Sequence, residues 1–268
     1  MLDTCGGTTI RALFGRRGGP VAQVAREGFA ADDAAAVRMK VCLSQFRSGA
    51  DTALNLRRHV DVVRRAAQER CDLVLFPELS VTGYRLTDAA QHVMDPHASA
   101  FDPLADLAMQ HGSTIAVGVP LAAGGGAQIG MVVFDPSGRR STYAKQHLHA
   151  DEQPFFLSGE VPLDLRVGEA RVAPAICYES LVPEHAAAAM ARGATVYAAS
   201  VAKPTKAIAR AHAHYAGLAS RYGVAVLVVN AVGRCEGFAS AGRSAAWSRE
   251  GALIEALDEE EGELFLDL

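Results

Sequence analysis

From position 40 onward, short apolar runs alternate with longer stretches whose apolar residues recur at helical spacing. KVCLSQF (40–46) predicts a strand. Residues 52–70 predict a helix whose apolar stripe is Leu56, Val60, Val63 and Ala67, with arginines on the other face. DLVLFPE (72–78) is a short continuous apolar strand that ends in Pro-Glu. A helix near 100–111 precedes the strand TIAVGVP (114–120). A Gly-rich turn at 124–126 leads into QIGMVVFDP (128–136), and PSGR (136–139) turns the chain into STYAK. RVAPAIC (171–177), TVYAASV (195–201) and residues 224–230 read as buried strands. Helices at 185–193 and 205–222 separate them, the first closed by glycine. The tail, 238–267, reads as short strands with turns at Gly242 and Gly251, and the acidic DEEEGE (258–263) as a solvated hairpin. Strands alternating with helices, plus hairpins, define an α/β layered domain with a mixed sheet. No repeat or linker interrupts it, so 39–268 is expected to be one domain.

Residues 1–38 are rich in Gly, Ala and Arg and carry no strong period, so they are expected to be a poorly ordered extension, although VAQVAREGFA (21–30) could form a short helix. They contain arginines but no apolar segment of the kind a secretory signal needs. The composition, 50% hydrophobic and 21% charged over 268 residues, is that of a soluble globular protein and excludes bulk disorder. No apolar run approaches the roughly 18 residues of a membrane helix. A net charge of -4 gives no electrostatic reason to expect nucleic acid or an anionic membrane as partner. The cysteines, at 5, 42, 71, 177 and 235, are odd in number and include no C-x-x-C pair. That argues against a disulfide framework and a thiolate zinc site, and for a reducing compartment, the cytoplasm. The lysines are Lys40, Lys145, Lys203 and Lys206 in a chain that otherwise uses arginine, so a lysine here is more apt to serve a role that needs an amine.

Three apolar strands end in an unusual polar residue: Glu78, Lys145 and Cys177. Functional groups in α/β sheets gather beyond the carboxyl ends of strands. A carboxylate, an amine and a thiol placed there together supply a base, an oxyanion clamp and a nucleophile. Taken singly, each has a plainer role: a buried apolar Cys, a solvated Glu, an outward-reaching Lys. His147 with His149, and His212 with His214, form H-x-H pairs, but 212–214 falls in a predicted helix, where that spacing diverges. No metal or cofactor is expected.

Three stretches together resemble the nitrilase superfamily of carbon–nitrogen hydrolases: LVLFPELSVTGY (73–84), YAKQHLHADEQPFF (143–156) and APAICYESLVPEHA (173–186). They look like that family's glutamate, lysine and cysteine motifs, in its order; the strand at 40–46 and VVNAVG (228–233) also fit. The resemblance implies an α-β-β-α four-layer sandwich with mixed sheets that pairs with a second subunit, as a homodimer or a larger homo-oligomer. It implies Cys177 as nucleophile, Glu78 as general base and acid, and Lys145 as the oxyanion holder, helped by the backbone N–H of Tyr178. Glu152, just beyond the lysine, is the candidate for the family's second glutamate. Cys177-Tyr178-Glu179 is similar to the amidase-type branches rather than to true nitrilases, which usually carry Trp after the cysteine. The implied activity is hydrolysis of a small linear amide through an acyl-thioester. Acyl transfer to an amine, or a catalytically silent binding role, are the alternatives. ASVAKP (199–204) lies where the family lines its pocket, so Lys203 is a candidate partner for a substrate carboxylate or else a solvent-facing lysine; Tyr84 is a candidate pocket wall or a structural turn residue.

Overall fold

The fold is seen in a computed structural model that describes residues 38–268. The expectations for 1–37, the extension and its possible short helix, lie outside the described residues. Along the chain run β1 (Lys40–Gln45), α1 (Thr52–Gln68), β2 (Leu73–Leu75), α2 (Asp102–His111), β3 (Thr114–Ala123), β4 (Gly126–Phe134) and β5 (Arg140–Ala144). These are followed by β6 (Leu165–Val167), β7 (Ala170–Ile176), α3 (Pro183–Ala191), β8 (Val196–Val201), α4 (Thr205–Tyr222) and β9 (Ala225–Asn230). The last strands are β10 (Val232–Cys235), β11 (Phe238–Ala241), β12 (Ala245–Trp247), β13 (Leu253–Ala256) and β14 (Gly262–Asp267). Short 3₁₀ turns add Ala89–Gln91, Ser99–Phe101 and Cys177–Leu181.

Two six-stranded sheets result, in the orders β14-β1-β2-β3-β4-β5 and β13-β12-β9-β8-β7-β6. Each has three parallel central strands, β1-β2-β3 in one and β7-β8-β9 in the other, flanked by antiparallel strands. The parallel strands are apolar on both faces, as burial between two layers requires. Val41, Leu43, Leu73 and Leu75 enter a core shared with Val172, Ile176, Val196 and Leu227 of the second sheet. Their neighbours Cys42 and Val74 point the other way, against α1 and α2 residues such as Val63 and Leu104. On the far side, Ala173, Tyr197 and Val226 pack under Ala186, Ala189 and Tyr215 of α3 and α4. The order of layers is therefore helices, sheet, sheet, helices, as expected.

Two local readings change. The buried face of α1 is Asn55, Leu56, His59, Val62, Val63 and Ala66, so Val60 and Ala67 of the expected stripe are only partly covered; Asn55 and His59 enter because both polar groups find partners inside. The acidic stretch 258–263 is not a hairpin. It crosses from β13 in the second sheet to β14, which pairs antiparallel with β1 in the first. Its charges are met by arginines: Arg243–Glu259 at 2.7 Å, Arg65–Glu263 at 2.7 Å, and Arg58 with Glu261. Gln45 accompanies the crossing by donating to the Asp258 carbonyl at 2.9 Å.

Candidate active site

Glu78 stands three residues past β2, in a turn fixed from below. Leu79 adopts a left-handed backbone with φ of 51°, a conformation that costs a non-glycine residue about 1–3 kcal/mol and persists only where surroundings impose it. Here they do. Gly118 of β3 runs so close beneath the turn that a Cβ on it would meet the Pro77 carbonyl oxygen at 2.3 Å and the Leu79 nitrogen at 2.4 Å. Val81 N–H bonds the Gly118 carbonyl at 3.0 Å, and Ser80 Oγ accepts from Gly118 N–H at 3.2 Å. His59 of α1 completes the support. Its Nε2 lies 3.0 Å from Ser80 Oγ and its Nδ1 2.7 Å from the Asn55 carbonyl, with the ring between Phe46 and Phe76.

Lys145 follows β5 and is completely buried. Its ammonium donates to Glu78 Oε1 at 2.9 Å and to Glu152 Oε1 at 2.6 Å. Glu152 also accepts from Tyr84 Oη at 3.1 Å and from the His149 amide at 2.8 Å. Burial by itself would push Lys145 down, but the neighbouring Glu78, Cys177 and Glu152 outweigh it and hold the ammonium above the usual lysine range. Burial lifts Glu78 above the usual carboxylate range; Lys145 pulls it back and Glu152 pushes it further up. Glu78 Oε2 is buried and has no hydrogen-bond partner. A buried carboxylate oxygen left open is costly, and it is also a free proton acceptor.

Cys177 follows β7 directly, as the first residue of a 3₁₀ turn, with φ of 49°. Such a backbone conformation costs a non-glycine residue about 1–3 kcal/mol and persists only where its surroundings impose it. The thiol reaches the Ala202 carbonyl at 3.8 Å. Burial and then Glu78 push it up to about 11, against the pull of Lys203 and Lys145. Thus the first sheet supplies Glu78 and Lys145, the second supplies Cys177, and they meet where the two sheets face each other.

The remaining predicted residues divide. Tyr84 is part of the cluster through Glu152, with its ring edge-on to Phe238 at 5.3 Å. Burial and the nearby carboxylates raise its phenol well above normal, so it stays a donor. Lys203 is buried; the solvent-facing alternative is therefore set aside. The Tyr178 side chain is 39% exposed and lies beside the His149 ring. The histidine pairs scatter. His147 faces His185, His149 pairs with Asp151, His212 bonds the Arg243 carbonyl and His214 the Ser180 carbonyl.

Four supporting residues do not stand out in the sequence. Glu179, fully buried, bonds the backbone on both sides of the site. Asn230, ending β9, holds the Lys203 backbone through both ends of its amide. His59 and Ser80 carry the Glu78 turn. The available signal is a single polar residue closing or interrupting an apolar run, as in VAVLVVN.

The carbon–nitrogen hydrolase family model matches residues 34–266, and the chain belongs to that family. It is a carbon–nitrogen hydrolase of the nitrilase superfamily whose solved structural neighbours are amidases. An amidase from Nesterenkonia sp. is similar at 26% identity and a TM-score of 0.79, over 86% of this chain and 90% of that one. A cysteine-to-alanine mutant of the amidase from Nesterenkonia sp. AN1, in complex with butyramide, is similar at 25% identity and a TM-score of 0.79 over the same shares. A glutamate-to-glutamine mutant of that amidase shows covalent addition of the acetamide moiety of fluoroacetamide at its active site cysteine; it is similar at 25% identity and a TM-score of 0.78, again over 86% of this chain and 90% of that one. No curated protein matches the chain.

Proposed function

We propose that this protein is an amidase that cleaves a small linear amide through a thioester on Cys177. The observation that carries the reading is the buried Glu78–Lys145–Glu152 arrangement, with an open carboxylate oxygen, set beside a thiol on a strained turn.

The thiol is protonated at neutral pH and the carboxylate beside it has a free acceptor, so attack and proton transfer occur together. Sulfur bonds to the carbonyl carbon while Glu78 takes the thiol proton. The carbonyl oxygen becomes an oxyanion, held by Lys145 and by the Tyr178 N–H, which as a first-turn amide has no partner within its own turn. As the carbon–nitrogen bond breaks, Glu78 returns the proton to the leaving nitrogen and ammonia or an amine departs. Water then attacks the thioester, Glu78 accepts its proton, the carbon–sulfur bond breaks and the thiol is restored. General acid–base action of this kind contributes about 10²–10⁴-fold. Glu152, itself tied by Tyr84 and the His149 amide, keeps Lys145 charged and aimed. Tyr84 walls the pocket.

The described cysteines are free, which suits a reducing compartment such as the cytoplasm, and among the described residues no helix is long and apolar enough to cross a membrane. A homodimer is the assembly this reading includes. The test is ammonia release from a panel of short amides, with Cys177→Ala as blank, and mass spectrometry of the quenched enzyme. Turnover with an acyl adduct on Cys177 supports the reading; undiminished turnover by Cys177→Ala overturns it. N-acyl products formed with added amines would redirect it to acyl transfer.

A further inference from the structure

Among the described residues, only two lysine or arginine side chains are buried, Lys145 and Lys203. Lys145 is shared between two carboxylates. Lys203 is 6% exposed, and among the described residues its ammonium makes no ion pair and no hydrogen bond. Its backbone, by contrast, is clamped four times. Lys203 N–H donates to Asn230 Oδ1 at 2.8 Å, and its carbonyl accepts from Asn230 Nδ2 at 3.2 Å, Ser240 Oγ at 3.2 Å and Ala241 N–H at 2.9 Å. The root of this side chain is held rigidly while its charged end is left without a partner.

That end belongs to the thiol's surroundings. Lys203 follows Ala202, whose carbonyl oxygen is the 3.8 Å contact of Cys177 Sγ. Burial pushes the amine down, but Cys177, Tyr215 and Glu78 push it up by more, so it is charged. With the residue only 6% exposed, little water is left to stand in for a counter-ion, which is unfavourable for an ammonium. The charges already present offset it only through space: Glu78, Lys145 and Glu152 together carry one surplus negative charge. Lys203 brings that sum to zero, but none of these groups hydrogen-bonds its ammonium, so a single ligand carboxylate can supply the direct contact that is missing, while a second ligand charge would be repelled by Glu78 and Glu152.

We propose that Lys203 binds a carboxylate on the substrate, so that this enzyme acts on monoamides of dicarboxylic acids rather than on neutral aliphatic amides. The inference rests on the reading that Cys177 attacks the amide and adds the chemistry of the substrate's other end. The plainer role for Lys203, balancing the surplus charge of the cluster, affects neutral and anionic amides alike.

The experiment compares malonamate, succinamate and glutaramate with neutral amides of matching length, butyramide among them, in the wild type, Lys203→Met and Lys203→Arg, with Cys177→Ala as blank. The wild type is expected to favour the best monoamide by about 10- to 100-fold in kcat/KM, the worth of one charge-assisted hydrogen bond. Lys203→Met brings that ratio to about one, chiefly through KM; Lys203→Arg keeps a preference. A wild-type ratio of one or below, or an equal loss on both amides in Lys203→Met, overturns the assignment of Lys203 and leaves the amidase reading standing. Absence of ammonia release from every amide overturns the amidase reading, and this inference with it.

Discussion

The Glu179 carboxylate and the Gln146 amide are joined by a hydrogen bond of 2.7 Å. The other carboxylate oxygen accepts from Ile176 N–H at 2.5 Å. One side chain thus ties the residue after Lys145 to the residue before Cys177, across two sheets. Tyr143 donates to the same carboxylate at 2.8 Å, with His185 and Tyr197 continuing the chain behind it. Glu179→Gln turns an N–H₂ toward donors and lets the two backbones part. Since a misplacement of about 1 Å can cost about 10²-fold, kcat is expected to fall by that order with KM little changed. Steady-state kinetics on the preferred amide check this, and wild-type kcat refutes a positioning role.

Gly118 is required by contact rather than by backbone angle. Gly118→Ala drives a methyl group into the Pro77–Leu79 backbone. Overpacking of this kind costs about 1–3 kcal/mol, and here the strain is relieved by moving Glu78. Activity is expected to drop by about 10²-fold while thermal unfolding shows only a moderate loss. A variant equally stable and fully active refutes this account of the turn.

The thiols of Cys177 and Cys71 are both pushed up to about 11, mainly by burial. Thiolate content alone therefore predicts similar, slow alkylation at neutral pH. If Glu78 accepts the thiol proton, iodoacetamide modifies Cys177 far faster than Cys71, and Glu78→Gln abolishes the difference. Peptide mapping after timed alkylation distinguishes the cases; equal rates in the wild type remove the base role of Glu78.

Two buried histidines set the acid limit of the fold. Burial lowers His59 to about 4, and burial together with His147 lowers His185 to about 4. The folded values lie below the unfolded value near 6.5, so this stability is complete above pH 6.5 and is lost as pH falls through 4. Glu179, pushed up to about 7 by burial, works in the opposite direction, its contribution being lost as pH rises through 7. For His59 the effect amounts to about 3 kcal/mol at full protonation. His59→Gln is expected to flatten the decline of urea midpoints between pH 6.5 and 4. An unchanged slope counts against a neutral His59.

Much of the fold is legible because local periodicity reports it. The apolar stretches at 114–120, 171–177 and 195–201 are strands, and the helix at 205–222 spans Thr205–Tyr222. Glu78, Lys145 and Cys177 stand out for another reason: each closes a strand-like run, and the three stretches around them together resemble the glutamate, lysine and cysteine motifs of one family. What periodicity does not carry is partnership between distant segments. Nothing near 262–267 announces that it pairs with β1 rather than β13. Asn55 and His59 look like solvent-facing residues until Val81 and Ser80 supply their partners. Glu179 reads as an ordinary surface charge until the Lys145 loop folds over it.

The pairing of β14 with β1 has a consequence for biogenesis. Gln45 and Asp258, which meet where that pairing begins, stand 213 residues apart. During synthesis the first sheet waits with one edge open until almost the whole of the described chain has left the ribosome. Such remote closure slows folding and leaves an unpaired strand available to other nascent chains. Chaperone dependence in overexpression, relieved by supplying residues 258–268 as a separate peptide, is the cellular signature to look for.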